Sequence, residues 1–250
     1  MGAYEGFAEV YDWFMDDIDY DSWVDYIERI WSSYNKTPKL IADLGCGTGN
    51  VTERLANKGY DMIGIDISED MLAEAREKSY ENENQILYLL QDMREFELYG
   101  TVDIIISLFD SLNYITEEDD LLKVFKLVNN YLEPKGLFIF DLNTKYKFKN
   151  ILGENTFTQT DDDAAYIWEN YYDDDSEINE YYLNIFVKDN DGRYERYEEV
   201  HHEKAYEIDV IKDLINKSGL KLLNIYDAYT FDEPKETSER IFFIAMENGK

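Results

Sequence analysis

The sequence predicts an α/β fold: a doubly wound, seven-stranded, mostly parallel sheet with an antiparallel β-layer inserted after the fifth strand. Two observations support this prediction. Short apolar runs alternate with amphipathic helical patterns from residue 39 to residue 142, which is typical of βαβ units. Between residues 154 and 206 the helical period gives way to a two-residue alternation, which is typical of antiparallel strands.

Residues 1–36 are expected to form a helical lid. Aromatic residues are frequent in this segment, at Tyr4, Phe7, Tyr11, Trp13, Phe14, Tyr20 and Trp23. Their spacing indicates a helix and a turn, and aromatic faces attract cations. We therefore expect the segment to fold across a ligand pocket and to exclude water from it. A helix that only covers the sheet is the alternative.

The core of the fold is expected in two segments, 37–153 and 207–250. The first segment contains apolar runs that indicate strands, at residues 40–42, 62–65, 86–90, 102–108 and 137–142. Because these runs are apolar on both faces, they suit a parallel sheet that helices cover on both sides. In the second segment a helical pattern ends at Gly219, and strands follow over residues 220–229 and 240–246.

Residues 154–206 are expected to form an inserted antiparallel β-subdomain. A turn over residues 188–193 contains Asp, Asn and Gly, which tolerate the backbone conformations of a hairpin. The insert carries 16 acidic and four basic residues, so it holds much of the negative charge. His201 and His202 are adjacent on a strand and point to opposite faces, so we expect no metal site there.

The composition disfavours several classes of partner. The chain has 250 residues, with 55 Asp and Glu against 24 Lys and Arg, and its net charge is −31. Such a surface repels phosphates, so we expect neither nucleic acid nor membrane as a partner. A single cysteine, the lack of a leader pattern and the lack of an apolar run of about 20 residues predict a cytoplasmic protein. The charge favours separate subunits, and we expect a monomer or a homodimer.

The most specific motif is Ile-Ala-Asp-Leu-Gly-Cys-Gly-Thr-Gly-Asn over residues 41–50, where a strand leads into a glycine-rich turn and a helix start. Glycines let the backbone turn tightly and approach a ligand, and the amides at the helix start add donors. About twenty residues later, Asp66 ends the second strand, where a carboxylate can accept from both hydroxyls of a ribose. Asp43 precedes the first glycine, where it would repel a diphosphate but suits an ammonium group. Together these features predict a nucleoside pocket.

With this motif the chain resembles the class I S-adenosylmethionine (SAM)-dependent methyltransferases over residues 39–142. The resemblance implies a Rossmann-like fold with a reversed last strand, SAM as methyl donor and S-adenosylhomocysteine (SAH) as product. It implies that Met71 packs on the adenine, that Asp92 accepts from the adenine amine, and that Tyr11 and Tyr20 close over the methionine end. The full set of expected donor-binding residues is Tyr11, Tyr20, Asp43, Gly45, Cys46, Gly47, Gly49, Asp66, Ile67, Met71, Asp92, Met93 and Leu108.

Within this family, the chain is most similar to small-molecule methyltransferases that include sugar N-methyltransferases. The similarity lies in residues 7–12, in the loop 107–114 and in the insert, which would line the acceptor pocket. Asp110 and Tyr114 on the loop are the predicted catalytic residues, because either can accept or relay a proton. The subgroup has a histidine where Tyr114 aligns, so the chain departs from its pattern at this position.

The sequence thus predicts methyl transfer to an N or O atom of a small molecule. Two alternatives stay open: a basic protein as the acceptor, and a SAM-binding module without turnover. A nicotinamide dehydrogenase is disfavoured, because the turn is G-x-G-x-G and lacks the G-x-G-x-x-G pattern. Arg196 and Arg240 are expected to pair with acids at the surface, and binding of an acceptor carboxylate or phosphate is the alternative. Cys46 is expected to be a small filler of the turn, without a nucleophilic role.

Overall fold

The computed structural model of the protein describes residues 8–15, 18–189 and 191–249. The helices of this part are α1 (Ala8–Phe14), α2 (Tyr20–Ser33), α3 (Asn50–Asn57), α4 (Glu69–Glu81), α5 (Glu118–Tyr131) and α6 (Ile208–Lys217). Its strands are β1 (Leu40–Leu44), β2 (Asp61–Asp66), β3 (Leu87–Leu90), β4 (Val102–Ser107), β5 (Leu132–Asn143), β6 (Thr156–Thr160), β7 (Ala164–Asp173), β8 (Ile178–Lys188), β9 (Tyr194–Lys204), β10 (Lys221–Asp227) and β11 (Arg240–Met246). Tyr4, Phe7 and position 190 of the predicted hairpin turn lie outside the described residues.

The predicted doubly wound sheet is confirmed. Seven strands pair in the order β10-β11-β5-β4-β1-β2-β3. β1 runs parallel to both β2 and β4, and β11 runs antiparallel to both β5 and β10. The chain order reverses between β1 and β4, and open α/β sheets bind ligands at the carboxyl ends of the strands at such a switch point. The reversed last strand has a second consequence, because its first residue, Arg240, lies beside the carboxyl end of β5.

Helix α2 packs into the core of the protein. Asp19 caps its start by accepting a hydrogen bond from the Ser22 amide at 3.1 Å. Its apolar face, with Ile27 and Ile30 fully buried, packs in one cluster with residues of β1, β4 and β11. Helix α1, by contrast, packs on α4, beside the cavity described below. No helix in the described part of the chain is both long and apolar enough to cross a membrane.

The inserted antiparallel layer is also confirmed. Strands β6 to β9 form a four-stranded sheet in the order of the chain, with antiparallel pairing throughout. In the turn between β8 and β9, the Asp189 carboxylate accepts hydrogen bonds from the amides of Asp191 and Arg193, both at 2.8 Å. On each strand of this layer, every second side chain points towards the seven-stranded sheet. Together these side chains form the inner face of the layer.

The fifth strand begins earlier than the apolar pattern predicts. Val102 of β4 pairs with Leu132, and Ile104 pairs with Leu137, so residues 133–136 form an irregularity within β5. Lys135 adopts a positive φ of 64° in this segment. The paired backbone of β5 therefore continues on both sides of this irregularity.

Candidate active site

A cavity of about 970 Å³ lies at the carboxyl edge of the seven-stranded sheet. The loops after β1, β2 and β4 form one wall. The inner face of the four-stranded sheet forms the opposite wall, through side chains such as Tyr166, Trp168 and Tyr181. Tyr11 and Tyr20 of the N-terminal helices line the cavity as well. The cavity is therefore enclosed by the core, the insert and the N-terminal segment together.

The glycine turn connects β1 with α3 on the floor of the cavity. Gly45 has a φ of 73°, and a Cβ at this position would lie 2.7 Å from the Ser111 side chain. Gly47 has a φ of 53°, and its Cβ would meet no protein atom within 4 Å. Glycine is therefore required at residue 45 by both conformation and space, whereas residue 47 needs it for its conformation. Gly47 lines the cavity, so its backbone is open to a ligand.

Asp66 stands at the end of β2 beside this turn. Its carboxylate accepts hydrogen bonds from the amides of Gly47 at 2.8 Å and Ser68 at 2.9 Å. Burial raises the pKa of Asp66, while these amides act in the opposite direction. Because two backbone donors orient the carboxylate, it is held at the cavity wall in one position.

Asp43 is buried at the end of β1, with 3% of its surface exposed. It accepts a hydrogen bond from Thr52 Oγ1 at 2.6 Å. Burial raises the pKa of Asp43 to about 7, although the bond from Thr52 lowers it. The thiol of the neighbouring Cys46 has a pKa raised by burial and by the carboxylates of Asp43 and Asp66. A thiol in this state is a poor nucleophile, which agrees with the role of filler predicted for Cys46.

Replacing Asp43 by Asn is expected to stabilise the ligand-free protein at alkaline pH. The carboxyl has a pKa of about 7 in the folded state against an ordinary value of 3.8. The stability that this shift contributes is therefore fully present below about pH 4 and is lost as the pH rises through about 7. Asparagine stays neutral and can still accept from Thr52, so the variant should gain on the order of 2 kcal/mol over wild type at about pH 8.5.

Urea unfolding at about pH 5 and pH 8.5 measures this gain. Asp61→Asn is the matched control, because Asp61 is exposed at the start of β2. It should change stability by less than about 0.5 kcal/mol at either pH. If Asp43→Asn changed stability by the same amount at both pH values, the raised pKa of Asp43 would be contradicted.

Other residues expected to bind the donor also lie at the cavity. Ile67, Met93 and Leu108 line it. Met71 is 2% exposed and packs against Ile185 of the insert. Asp92 lines the cavity too, but its carboxylate also pairs with Arg94, whose Nε lies 2.9 Å away. The bond from Arg94 holds the pKa of Asp92 below its usual range.

Helix α1 is tied directly to the glycine turn. Asp12 accepts hydrogen bonds from Thr48 Oγ1 and Asn50 Nδ2, both at 2.7 Å, and forms an ion pair with Lys78. Burial would raise the pKa of Asp12, but these partners lower it overall. The segment that carries Tyr11 is thus anchored where the turn meets α3.

Asp110 precedes a short 3₁₀ turn after β4, Tyr114 is the last residue of this turn, and both line the cavity. Asp110 has a positive φ of 55°, an unfavourable conformation for a residue with a side chain. Its amide donates to Asp141 at 3.0 Å, and its carboxylate accepts from Arg240 Nη2 at 2.6 Å. The prediction that Arg240 pairs at the surface is wrong. Its side chain is only 13% exposed and bridges Asp110 and Asp141, because the reversed strand β11 brings its first residue to this edge.

The structure adds residues that the sequence analysis did not assign to the site. Four further side chains line the same cavity as Asp110 and Tyr114, namely Lys147, Tyr181, His201 and Glu203. Glu203 is 3% exposed, and burial, followed by the charge of Asp110, raises its pKa to about 8. Burial lowers the pKa of Lys147. The sequence contains a signal for these residues. Residues 199, 201 and 203 share one face of a predicted strand and place polar groups on that face.

Charged residues are frequent around this cavity. In the described part of the chain, no group of three or more His, Cys, Asp or Glu side chains is arranged to hold a metal ion. What the site does provide is a glycine turn between a strand and a helix, a carboxylate on the next strand and a large cavity at the switch point. These features define a Rossmann-like protein that binds a nucleoside-containing ligand.

Comparisons with known proteins narrow this class. A model of the methyltransferase domain matches residues 41–136. The chain is 37% identical over 244 residues to a putative methyltransferase of Geobacillus sp. (strain WCH70), and the match covers 97% of this chain and 99% of the relative. The crystal structure of a SAM-dependent methyltransferase from Clostridium acetobutylicum superposes with a TM-score of 0.88 at 35% identity, covering 98% and 99% of the two chains. The sugar N-methyltransferase KedS8 from Streptoalloteichus sp. shares the fold, with a TM-score of 0.80, 16% identity and coverage of 96% and 93%.

The chain therefore belongs to the class I SAM-dependent methyltransferases. The resemblance based on the glycine motif is confirmed, and the protein is an enzyme that uses SAM. The site fits this donor, because an oriented carboxylate and an open glycine backbone face the same cavity.

Proposed function

We propose that the enzyme transfers the methyl group of SAM to an N or O atom of a small-molecule acceptor held between the two sheets. SAM supplies an electrophilic methyl group on a sulfonium. The observation that carries the proposal is that the inserted sheet forms the second wall of the cavity. A site closed by two sheets has room for a small molecule next to the donor, and it holds the reacting atoms close together, which is most of what an in-line displacement requires.

Each of the proposed donor-binding residues would contact a particular part of SAM. Asp66 would accept from the ribose hydroxyls, and Asp43 would face the ammonium group. Met71 and the edge formed by Asp92 would contact the adenine, together with Ile67, Met93 and Leu108. The amides and open backbone of the turn would contact the donor at Gly45, Cys46, Gly47 and Gly49. Tyr11 and Tyr20 would cover the methionine end, where aromatic faces favour the sulfonium.

Amino sugars are the first acceptors to consider. KedS8 is described as a sugar N-methyltransferase, and its similarity of fold extends over 96% of this chain, including the insert. The negative charge of −31 also favours neutral or cationic acceptors over nucleic acids. The single cysteine, Cys46, is partly buried in the turn and suits a reducing compartment, so we place the enzyme in the cytoplasm. The net charge favours separate subunits, and we expect a monomer or homodimer.

The test is a methyl-transfer assay with SAM that carries a tritiated methyl group. The acceptor panel contains amino sugars, small amines and the corresponding alcohols. D-Glucosamine and D-glucose form a matched pair, because they differ only in an amino group against a hydroxyl. We expect label in small-molecule acceptors, and the pair shows whether nitrogen or oxygen is preferred. Label in poly-L-lysine alone would favour a basic protein as acceptor. SAM binding without label in any acceptor would favour a non-catalytic module.

Tyr181 and Tyr182 offer a matched test of the acceptor wall. Tyr181 lines the cavity, whereas Tyr182 is exposed on the other face of β8. Tyr181→Ala is expected to lower turnover by about tenfold or more, because the acceptor loses its alignment with the methyl group. Tyr182→Ala should leave turnover unchanged, and both variants should bind SAH as wild type does. Equal turnover in the two variants would contradict an acceptor site on this wall.

A further inference from the structure

Glu203 is a buried carboxyl group on the cavity wall that the proposed donor site does not use. It lies on β9, where residues 199, 201 and 203 alternate with exposed residues. Only 3% of its surface is exposed, and it lines the cavity. Its Oε2 atom has no hydrogen-bond partner in the described part of the chain. Because a buried polar atom without a partner is costly, this carboxyl marks a place where a ligand can supply the missing donor.

Glu203 belongs to a cluster of charged side chains. The Lys147 ammonium interacts electrostatically with the Arg240 guanidinium and with the carboxyl groups of Asp110, Asp141 and Glu203. Three acidic groups thus stand against two basic ones, so the cluster has one negative charge in excess when all of its members are ionised. One proton or one bound cation balances this charge.

The other two acidic members of the cluster already have a basic partner. Arg240 Nη2 lies 2.6 Å from Asp110 Oδ1, and the same guanidinium pairs with Asp141. Asp141 is also fully buried within β5. Glu203 is therefore the acidic member that combines a position on the cavity wall with an oxygen that lacks a partner.

The surroundings of Glu203 favour a proton on its carboxyl in the ligand-free protein. Burial, followed by the charge of Asp110, raises its pKa to about 8, although the charge of Lys147 acts in the opposite direction. The titratable and polar groups that neighbour Glu203 on several elements include Asp110 after β4, Asn143 of β5, Lys147 after β5, Tyr181 of β8 and His201 on the same face of β9. A cation bound beside the carboxyl displaces its proton, because the cation stabilises the ionised form.

We propose that Glu203 selects acceptors that carry a cationic group, by binding this group with its carboxylate; this proposal rests on the proposed function. The ammonium of the acceptor supplies the donor that Oε2 lacks, and its charge balances the excess negative charge of the cluster. The O–H bond of the Glu203 carboxyl breaks, and its proton passes to solvent. A neutral alcohol of the same shape leaves this proton in place and forms a weaker hydrogen bond. Glu203 is thus a specificity-determining residue.

Cyclohexylamine and cyclohexanol are a matched pair of probes, because they differ only in an amino group against a hydroxyl. Cyclohexylamine is an alkyl amine like the lysine side chain, so it stays cationic below about pH 9.5. Both probes are titrated calorimetrically into the complex of the enzyme with SAH, in which no methyl transfer takes place. At about pH 8.5, wild type should bind the amine about 10- to 100-fold more tightly than the alcohol. Equal affinities for the two probes overturn the proposal.

Glu203→Gln keeps the shape of the side chain and removes its charge. The variant should bind cyclohexylamine about 10- to 100-fold more weakly than wild type at about pH 8.5, and its affinity for cyclohexanol should change by less than about threefold. Glu198→Gln is the matched control, because Glu198 is exposed on the other face of the same strand, and it should bind both probes as wild type does. An unchanged affinity for the amine in Glu203→Gln contradicts the proposal.

The pH dependence of binding separates the proposed role from a structural one. The carboxyl of Glu203 releases its proton when the amine binds, so the wild-type affinity for cyclohexylamine should rise about tenfold per pH unit up to about pH 8 and then level off. At about pH 7 binding should release about one proton, which the difference in heat between phosphate and Tris buffers measures. Both effects should be absent in Glu203→Gln.

An amine affinity of wild type that does not change between about pH 6 and pH 8 refutes the proposal, even if Glu203→Gln fails to fold. All of these titrations use the complex with SAH. They therefore decide the role of Glu203 even if no acceptor of the panel is methylated, in which case the proposed function fails separately.

Discussion

Replacing Asp66 by Ala is expected to weaken SAM binding by about 2–4 kcal/mol, roughly 30- to 1,000-fold. The carboxylate is held by the amides of Gly47 and Ser68, so it is oriented before the donor arrives. Two hydrogen bonds from ribose hydroxyls to a charged acceptor are lost in the variant, and each contributes more than a bond between neutral groups. The Gly47 amide also loses its partner, which loosens the turn.

Calorimetric titration with SAM and with SAH measures this effect, with NAD as a ligand that wild type should ignore. Asp61→Ala is the matched control, because it removes an exposed carboxylate from the other end of the same strand. Asp66→Asn separates charge from shape, and it should fall between wild type and the alanine variant. Unchanged SAM affinity in Asp66→Ala, or NAD binding by wild type, would mean that the donor site is misassigned.

The proposed donor half of the site can be predicted from the sequence because its parts are close along the chain. The glycine turn lies within residues 41–50, and Asp66 follows it after one helix and one strand. The parallel pairing of β1 with β2 brings the two together at the same edge of the sheet. A local pattern therefore specified both the backbone conformation and the neighbour.

The proposed acceptor half depends on contacts between distant segments. Arg240 meets Asp110 across 130 positions, and Tyr114 meets Tyr181 across 67. Periodicity shows which face of a strand a residue occupies, but it does not show which other segment of the chain packs against that face. His201 was therefore recognised as one of two residues on opposite faces, while its pairing with Glu199 and its place beside Tyr114 required the structure. The predicted surface position of Arg240 is wrong because the antiparallel pairing of β11 with β5 brings this residue to the carboxyl end of β5.

Removing the charge of Arg240 is expected to have the largest effect on stability. Asp141 is fully buried, and its Oδ1 has no hydrogen-bond partner in the described part of the chain. Burial alone would lower the pKa of Arg240, but Asp141 and Asp110 raise it overall, so the guanidinium stays charged between them. In Arg240→Met both carboxylates lose this partner. Breaking one side of a buried pair costs about 3–5 kcal/mol, because a charge is left without compensation.

Urea unfolding at about pH 7.5 measures the loss, with Arg193→Met as the control. Arg193 is 80% exposed and pairs with Asp191 at 3.5 Å, so its removal should change stability by less than about 0.5 kcal/mol. Adding Asp141→Asn to Arg240→Met should recover part of the loss, since the buried carboxylate is then neutral. A full loss without recovery would point to the packing of the arginine stem, whose guanidinium lies 5.3 Å from the Trp23 ring. A loss of stability below about 1 kcal/mol in Arg240→Met would contradict a buried charge network.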